Sequence, residues 1–419
     1  MNILLLAVGS YGDVLPLVGL GRELHRRGHT VTLFTNGHFA YLVKQANLHF
    51  VPLGSAKEYD ETANNPALWH PHKGWRLIMT RLASPKLQEA YHTLWHYVQP
   101  GNTIMVSSTL GFAARLVQEV HHIPHATVHF SPGVFHSAYA PPKMPNLALP
   151  PWLPIWFKRA CWSLINTTMV DPVMKPYLNA FRRELGLHPI SKIFQTWAHS
   201  PDLVLGMFPG WFAPPQPDWP TGTQLVGFPM YDESPNAELP GTVQQFLAAH
   251  PAPVVCTPGS ANKHGRKFFE EAAKACQAIG RPALFLTRYP EQLPLPLPKS
   301  IRHFSYVPLS RLLPHCAALI HHGGIGTCSQ AMKAGIPQIV QPLAFDQFDN
   351  AARIVKLGIG HAIPPRAFRS RVIARTLTNR LADPVMRQHC EDIAHRTKKS
   401  HGLSLACDNI ETRLLKMLD

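Results

Sequence analysis

The sequence predicts an α/β protein of two parallel-sheet domains, and three observations carry that expectation. Wholly apolar runs alternate with amphipathic stretches, a proline-rich segment halts the pattern near the middle of the chain, and the pattern then restarts. A length of 419 residues suffices for two or three domains, each with a core of its own.

The first domain opens with Ile3 to Val8, an unbroken apolar run. The turn GSYGD follows, then Leu17, Leu20, Gly21 and Leu24 at helical spacing. TVTLFT, HFVPL, TIMVS and HATVHF continue the alternation. Strands that are apolar on successive residues need cover on both faces, which is the condition of a parallel sheet between helices, a Rossmann-like domain. From Phe208 to Leu239 the chain turns aperiodic and proline-rich (FPGWFAPPQPDWP, then GFPMYDESPNAELP) and reads as a crossing between domains. PVVCT, the turn PGSANKH and a helix through Phe269, Ala272, Ala273 and Cys276 then repeat the opening order, with further strands at ALFLT, ALIHH and PQIVQ. The expected domains are 1–228 and 229–395, facing across a cleft. Beyond Asp383 the pattern is helical, and 396–419 is expected to be a helix packing back toward the first domain.

Composition excludes several classes. The seven cysteines are odd in number and widely spaced, so they read as reduced core thiols rather than a disulfide frame or zinc ligands. The apolar run at the N-terminus is too short for a signal peptide, and LPIWFKRACWSLINTTMV is broken by Lys158 and Arg159. A soluble, cytoplasmic protein is expected. The net charge of +15 suits anionic substrates, nucleic acid or acidic lipid headgroups alike, and no nucleic-acid-binding module accompanies it. His70/His72, His92/His96 and the group His121, His122 and His125 lack an H-E-x-x-H pattern or acidic partners, so no metal site is expected.

The densest chemical signal lies in residues 303–360. There the strand ALIHH runs into Gly323, Gly324 and Gly326 ahead of the helical TCSQAMKAG. Glycines let the backbone approach a ligand, and a helix start presents free N–H groups with positive partial charge, which suits a diphosphate. His322 and Thr327 flank the turn as further donors. Asp346-Gln347 follows a strand and a proline, where a carboxylate and an amide suit vicinal hydroxyls. The plainer readings are a tight glycine turn and a helix cap.

Taken in order, Val307-Pro308, Leu312-Leu313-Pro314, His321 to Thr327, Gly335 to Gln338, Pro342, Asp346-Gln347 and Asn350-Ala351 closely resemble the donor-binding signature of family 1 glycosyltransferases of the GT-B fold. The resemblance implies an aromatic stack on the nucleobase at Tyr306 and a base-reading backbone at Val307. It implies diphosphate contacts at His322, Gly324, Gly326 and Thr327, sugar-hydroxyl contacts at Asp346 and Gln347, and a phosphate-approaching turn at Gly259-Ser260. Two positions depart from the pattern. Gln330 stands where many members carry a ribose-binding Glu, and Leu309 replaces a Gln, which leans toward a deoxyribose donor.

Inverting transfer needs a base for the acceptor hydroxyl. GSYGDVLP resembles the family element that carries it and places Asp13 there as catalytic residue, with Ser10 and Gly12 as helpers at the phosphate; the plainer role for Asp13 is a helix cap. The aromatic and proline-rich residues 130–165 suit an apolar acceptor, with Phe135, Trp152, Trp156 and Lys158 as candidate contacts. Further likeness in YAPPKMP, FPGWFAPPQPDWP and GFPMYD, to the branch that makes bacterial rhamnolipids, implies transfer of L-rhamnose from dTDP-L-rhamnose to a 3-(3-hydroxyalkanoyloxy)alkanoate, giving a mono-rhamnolipid. It further implies no metal or other cofactor, and as partners the enzyme making the acceptor and a peripheral inner-membrane contact.

The alternative within the class is a UDP- or dTDP-glucose-dependent glucosyltransferase acting on a sterol, macrolide or other apolar alcohol. Outside it stand a non-catalytic nucleotide-sugar binder, which Asp13 argues against, and an NAD-dependent oxidoreductase. The latter lacks the full G-x-G-x-x-G spacing and an acidic residue after VTLFTN.

Overall fold

A computed structural model describes residues 1–71, 73–83, 86–145, 147, 149–233 and 238–418, with the side chains of residues 82 and 83 outside the description. His72 and residues 234–237 of the proline-rich segment therefore lie outside the described residues. The chain divides into two compact units, one of Met1–Leu68, His72–Pro229 and His401–Asp419, the other of Trp69–Pro71 and Met230–Ser400.

The first unit is built on strands β1 (Asn2–Leu6), β2 (Thr30–Thr35), β3 (His49–Pro52), β4 (Thr103–Ser108), β5 (His125–His129), β6 (Leu203–Gly206) and β7 (Gln224–Leu225). They form one sheet in the order β3-β2-β1-β4-β5-β6-β7, and every pairing is parallel. Strands β1, β4 and β5 are buried on every residue, as cover on both faces requires. The second unit carries β8 (Val254–Thr257), β9 (Ala283–Leu286), β10 (Ile301–Phe304), β11 (Ala318–His321), β12 (Gln338–Val340) and β13 (Gly360–Ala362), in the order β10-β9-β8-β11-β12-β13, again all parallel. Counted from its own first strand, each sheet runs 3-2-1-4-5-6, the doubly wound order, and the first adds β7 at its edge. The restart seen in the sequence is thus a repeat of topology.

The chain reverses direction across the sheet between β1 and β4 in the first unit and between β8 and β11 in the second. Ligands of such sheets bind outside the carboxyl ends of the strands at these points. The three glycine turns singled out in the sequence, GSYGD, PGSANKH and the one through Gly323, follow β1, β8 and β11 and sit there.

The tail forms two helices, Pro384–Lys398 in the second unit and Gly402–Leu414 in the first. Ala406, Cys407, Ile410 and Leu414 of the latter are buried, and the helix lies against Tyr11–Arg26. Arg27, at the end of Tyr11–Arg26, donates to Asp408 at 2.6 Å, Glu411 at 2.7 Å and the Ser404 carbonyl at 3.2 Å. All seven cysteines are free thiols, six of them buried. Among the described residues no helix is long and apolar enough to cross a membrane, and no three metal-ligating side chains converge. His121 instead stacks on Trp95 with ring centroids 3.6 Å apart, and His125 bonds Ser107 at 2.8 Å and Gln118 at 3.0 Å.

Removing the largely covered Arg27 guanidinium takes its charged hydrogen bonds from Asp408, Glu411 and Ser404. Its partners are partly exposed, so Arg27→Ala should lower the unfolding free energy by about 2 kcal/mol, measured by urea denaturation. An unchanged midpoint would show that the last helix is held by its apolar face alone.

Candidate functional site

In the second unit, β11 ends at His321, which is fully buried. The Gly323 N–H donates to its Nδ1 at 3.2 Å, so the ring proton sits on Nε2, which donates to the Gln338 side-chain oxygen at 3.0 Å. His321 thereby pins the start of the glycine turn. Gly323 has φ +96°, and a Cβ there would meet Val340 at 2.8 Å. The helix Ile325–Ala334 starts with Gly324 as its N-cap and no side-chain cap, so the N–H groups of Ile325, Gly326 and Thr327 open its N-terminus.

The His322 ring lies in a slot between two glycines. A Cβ on Gly259, itself at φ +99°, would meet the ring at 2.8 Å, and one on Gly324 would meet Nε2 at 2.5 Å. Burial pushes the imidazole down to about 4, so at neutral pH it is uncharged and carries a single proton. Its Nδ1 is shut off from water without a hydrogen-bond partner. Ser260, next to Gly259, is exposed.

The loop after β12 passes through Phe345, at φ +55°, a conformation that is an outlier for a bulky residue. The carboxylate of Asp346 accepts from Asn350 Nδ2 at 2.8 Å, and the same nitrogen donates to the Gly323 carbonyl at 3.0 Å. Asn350 thus ties the sugar-hydroxyl candidate to the glycine turn. The buried Gln347 accepts from the Leu343 and Ala344 N–H groups through its side-chain oxygen, so its NH2 is what remains for a ligand. Val307 is buried in the core, while Tyr306 is half-buried beneath Arg288, 5.4 Å from its ring. Gln330 is 8% exposed and donates to Asp232 at 3.1 Å.

In the first unit Asp13 is half-buried at the third position of the helix Tyr11–Arg26. Its Oδ2 accepts from the Ser10 N–H at 2.8 Å and the Ser10 hydroxyl at 3.3 Å, while the Gly12 N–H donates to Ser10 Oγ at 3.3 Å. The helix cap is therefore Ser10 and not Asp13, and the donors of Ser10 and Gly12 expected at a phosphate are spent inside this capping box. Gly9, at φ +141°, makes room for the carboxylate, since a Cβ there would meet Oδ2 at 2.2 Å. At the end of β4 the Thr109 hydroxyl bonds His129 at 2.9 Å, and His129 bonds His199 at 2.9 Å. His199 Nε2–H donates to the Phe194 carbonyl, so His129 Nε2–H donates to His199 Nδ1 and the Thr109 hydroxyl donates to His129 Nδ1.

The four acceptor candidates do not gather. Phe135 is buried, stacked on Trp219 with centroids 4.4 Å apart, and Lys158 is buried with its ammonium on the Pro151 carbonyl at 3.4 Å. Trp152 and Trp156 are 79% and 70% exposed. A cavity that the sequence did not announce lies beside Gly9 instead, walled by Leu6, Val8, Leu53, Leu87 and Leu110, with Arg81 and the ion pair of Lys86 with Glu58 in its lining. Its walls come from distant segments, so no local pattern marks it. Asn350 and His321 lie within the same ordered stretch of sequence, but the bonds that give them their roles are tertiary.

Comparison with known proteins bears on these geometries. The C-terminal domain model of erythromycin biosynthesis protein CIII-like proteins matches residues 289–400, and the glycosyltransferase family 28 N-terminal domain model matches residues 3–140. The sterol 3-beta-glucosyltransferase of Debaryomyces hansenii is 26% identical over 439 residues, covering 98% of this chain, which spans about a quarter (26%) of that longer protein. The O-mycaminosyltylonolide 6-deoxyallosyltransferase of Streptomyces fradiae is 28% identical over 450 residues, covering 98% of this chain and 97% of that one. The structure of the glycosyltransferase VinC in complex with DTDP superposes with a TM-score of 0.70 at 18% identity, covering 100% of both chains. That likeness shows the fold, two Rossmann-like domains with C-terminal helices, the GT-B architecture.

Two outcomes test this geometry. Gly324 has φ −62°, which suits alanine, so Gly324→Ala should displace the His322 ring without straining the backbone; an NMR titration should find the imidazole raised from about 4 toward 6.5. An unmoved titration would refute the slot. Burial also holds His125 and His321 down to about 3, and His136 and His199 to about 4. Below the unfolded value of 6.5 the unfolded chain takes up protons that the folded rings refuse. Stability should thus be greatest above about pH 6.5 and fall steadily toward about pH 4, as urea midpoints at pH 7 and pH 5 would register.

Proposed function

We propose that the chain is a glycosyltransferase that, on its GT-B architecture, transfers a hexose with inversion from a nucleoside diphosphate to the hydroxyl of an apolar acceptor. The observation that carries this reading is the uncapped helix start at Ile325–Thr327 beside a neutral histidine held between Gly259 and Gly324. Backbone N–H groups, the helix dipole and a neutral imidazole donor together suit a diphosphate, and they stabilise the charge that grows on it as the glycosidic bond breaks. Thr327 adds a hydroxyl at the same turn, and the Gly259-Ser260 turn a second approach.

Asp346 and the NH2 of Gln347 hold hydroxyls of the transferred sugar, their orientation fixed by Asn350 and by the loop that Gln347 anchors. Tyr306 supports the base by stacking, and the backbone of Val307 reads its edge. Asp13 is the general base. Ser10 fixes one of its carboxylate oxygens, which sets the direction from which the acceptor hydroxyl is met. The residues present need no metal for this chemistry, because the leaving diphosphate is stabilised by N–H donors.

By their names the curated relatives act on a sterol and on O-mycaminosyltylonolide, which supports an apolar alcohol as acceptor and a glucosyl or deoxyhexosyl donor. Thymidine diphosphate in VinC supports a dTDP-sugar. A second reading, L-rhamnose from dTDP-L-rhamnose to a 3-(3-hydroxyalkanoyloxy)alkanoate, is favoured by the cavity beside Gly9, whose leucine walls and Arg81 suit an acyl chain ending in a carboxylate. Exposed Trp152 and Trp156 near Arg159 support peripheral contact with an inner-membrane surface in that reading. Purified protein given dTDP- and UDP-sugars with a sterol, a macrolide aglycone and the hydroxyalkanoyloxyalkanoate, and products read by mass spectrometry, decides between them; no product from any pair would contradict the reading.

Asp13→Asn keeps an acceptor for the Ser10 N–H and so the capping box, but removes the base. Turnover should fall by about 10²–10⁴-fold, with dTDP affinity by calorimetry within a few-fold. Retained turnover would remove Asp13 from the reaction.

A further inference from the structure

Two neutral histidines in the interior of the first unit serve to orient one hydroxyl. His129 is fully buried and His199 is 6% exposed. The Phe194 carbonyl can only accept, so His199 Nε2–H donates to it at 2.9 Å and Nδ1 is left as an acceptor. His129 Nε2–H fills that acceptor at 2.9 Å, and His129 Nδ1 in turn takes the Thr109 hydroxyl hydrogen at 2.9 Å. Burial holds both imidazoles well below their ordinary value, His199 at about 4, so neither ring gains a second proton at neutral pH and the order of donors does not reverse. The half-buried Thr109 is the outer end of this chain. Its hydrogen is spent inward, and its oxygen has only lone pairs to offer a ligand.

Thr109 stands where the first sheet opens. Ser108 Oγ accepts from the Val8 N–H at 3.1 Å, which ties the chain beyond β1 to the end of β4, and Gly9 and Thr109 are the next residues of each. The helix after β1 packs through Gly21 on Leu5 and Val31, whereas Phe112–His121, after β4, packs with Leu4 and Leu6. Leu5 alternates with Leu4 and Leu6 along the strand, so the two helices leave toward opposite faces. The crevice between their starts is flanked by Asp13, over Gly9, and by Thr109. An acceptor alcohol has one hydroxyl hydrogen to give, and in the reaction Asp13 takes it. We infer that Thr109 accepts a hydrogen bond from a second donor group of the acceptor, that His129 is the positioning residue holding Thr109 to this role, and that the acceptor class is an apolar polyol. A sterol has no second donor, nor has an ionised hydroxyalkanoyloxyalkanoate. The inference rests on the reading of Asp13 as the base and narrows the acceptor that this base serves.

Initial rates of the full-length protein with dTDP- and UDP-sugars test the inference. The acceptor is whichever of dodecane-1,2-diol, dodecane-1,3-diol and a macrolide aglycone yields product, each beside derivatives in which one non-reacting hydroxyl is methylated. The methyl ether keeps the oxygen and has no hydrogen to donate. For one such derivative the wild type should show kcat/KM about 10-fold below that of the parent polyol, carried by KM. Thr109→Val should bring that ratio to about 1 by raising KM for the polyol, whereas Thr109→Ser should keep it. His129→Phe frees the Thr109 hydrogen to point outward, so the ether should gain and the ratio should shrink. Each variant should bind dTDP within about 2-fold of the wild type, which separates these effects from misfolding. Equal kcat/KM for every polyol and its ethers overturns the inference alone, as does a ratio that survives Thr109→Val, or product from a sterol or the hydroxyalkanoyloxyalkanoate but from no polyol. No product from any acceptor overturns it together with the transferase reading beneath it.

Discussion

The second unit depends on how closely the backbone comes to one imidazole. Gly259 and Gly324 leave room for the His322 ring, and the buried His321 fixes the start of the turn that carries it. A side chain at either glycine would move the ring, and a charged ring would not tolerate the slot. The same turn delivers an uncapped helix start, so the geometry that keeps His322 neutral also exposes three backbone donors. Neutrality and donor supply are two consequences of one packing constraint, and the loop from Leu343 to Gln347 is bound to it through Asn350.

The fold was largely legible because its signals are local. Buried parallel strands are covered on both faces, and β1, β4, β8, β9, β11 and β12 stand out as largely apolar runs, while β2 and β5 carry buried Thr32, Thr35, His125, Thr127 and His129 among their apolar residues. Strands β7, β10 and β13 did not, because QL, IRHF and GHA hold no apolar run and their existence is decided by the neighbour they pair with, whereas β6, LVLG, is a buried apolar run of the same kind as the others. The repeated 3-2-1-4-5-6 order was readable only as a repeated opening motif, since strand order is a property of tertiary pairing.

Legibility at the candidate site followed the same division. The glycine turn, His322, Asp346 and Gln347 occupy one contiguous stretch with a recognisable order. Ser10 and Asp13 were visible as residues, but sequence could not say which of them caps the helix; the hydrogen bonds assign the cap to Ser10. The acceptor side was the least readable. Aromatic density drew attention to Phe135 and Lys158, which the fold uses as interior packing, while the cavity beside Gly9 is assembled from strands and helices far apart in the chain. Asp232 was hidden for the same reason, its partner Gln330 lying almost a hundred residues away.

The central claim is that the diphosphate of the donor binds at the helix start beside His322. Titrating isotope-labelled protein with dTDP while following backbone amide resonances tests it most directly. Saturable shifts of the Ile325, Gly326 and Thr327 amides, with a concurrent shift of the His322 ring, are the predicted result. Saturable binding that leaves those three amides and that ring unmoved would contradict it.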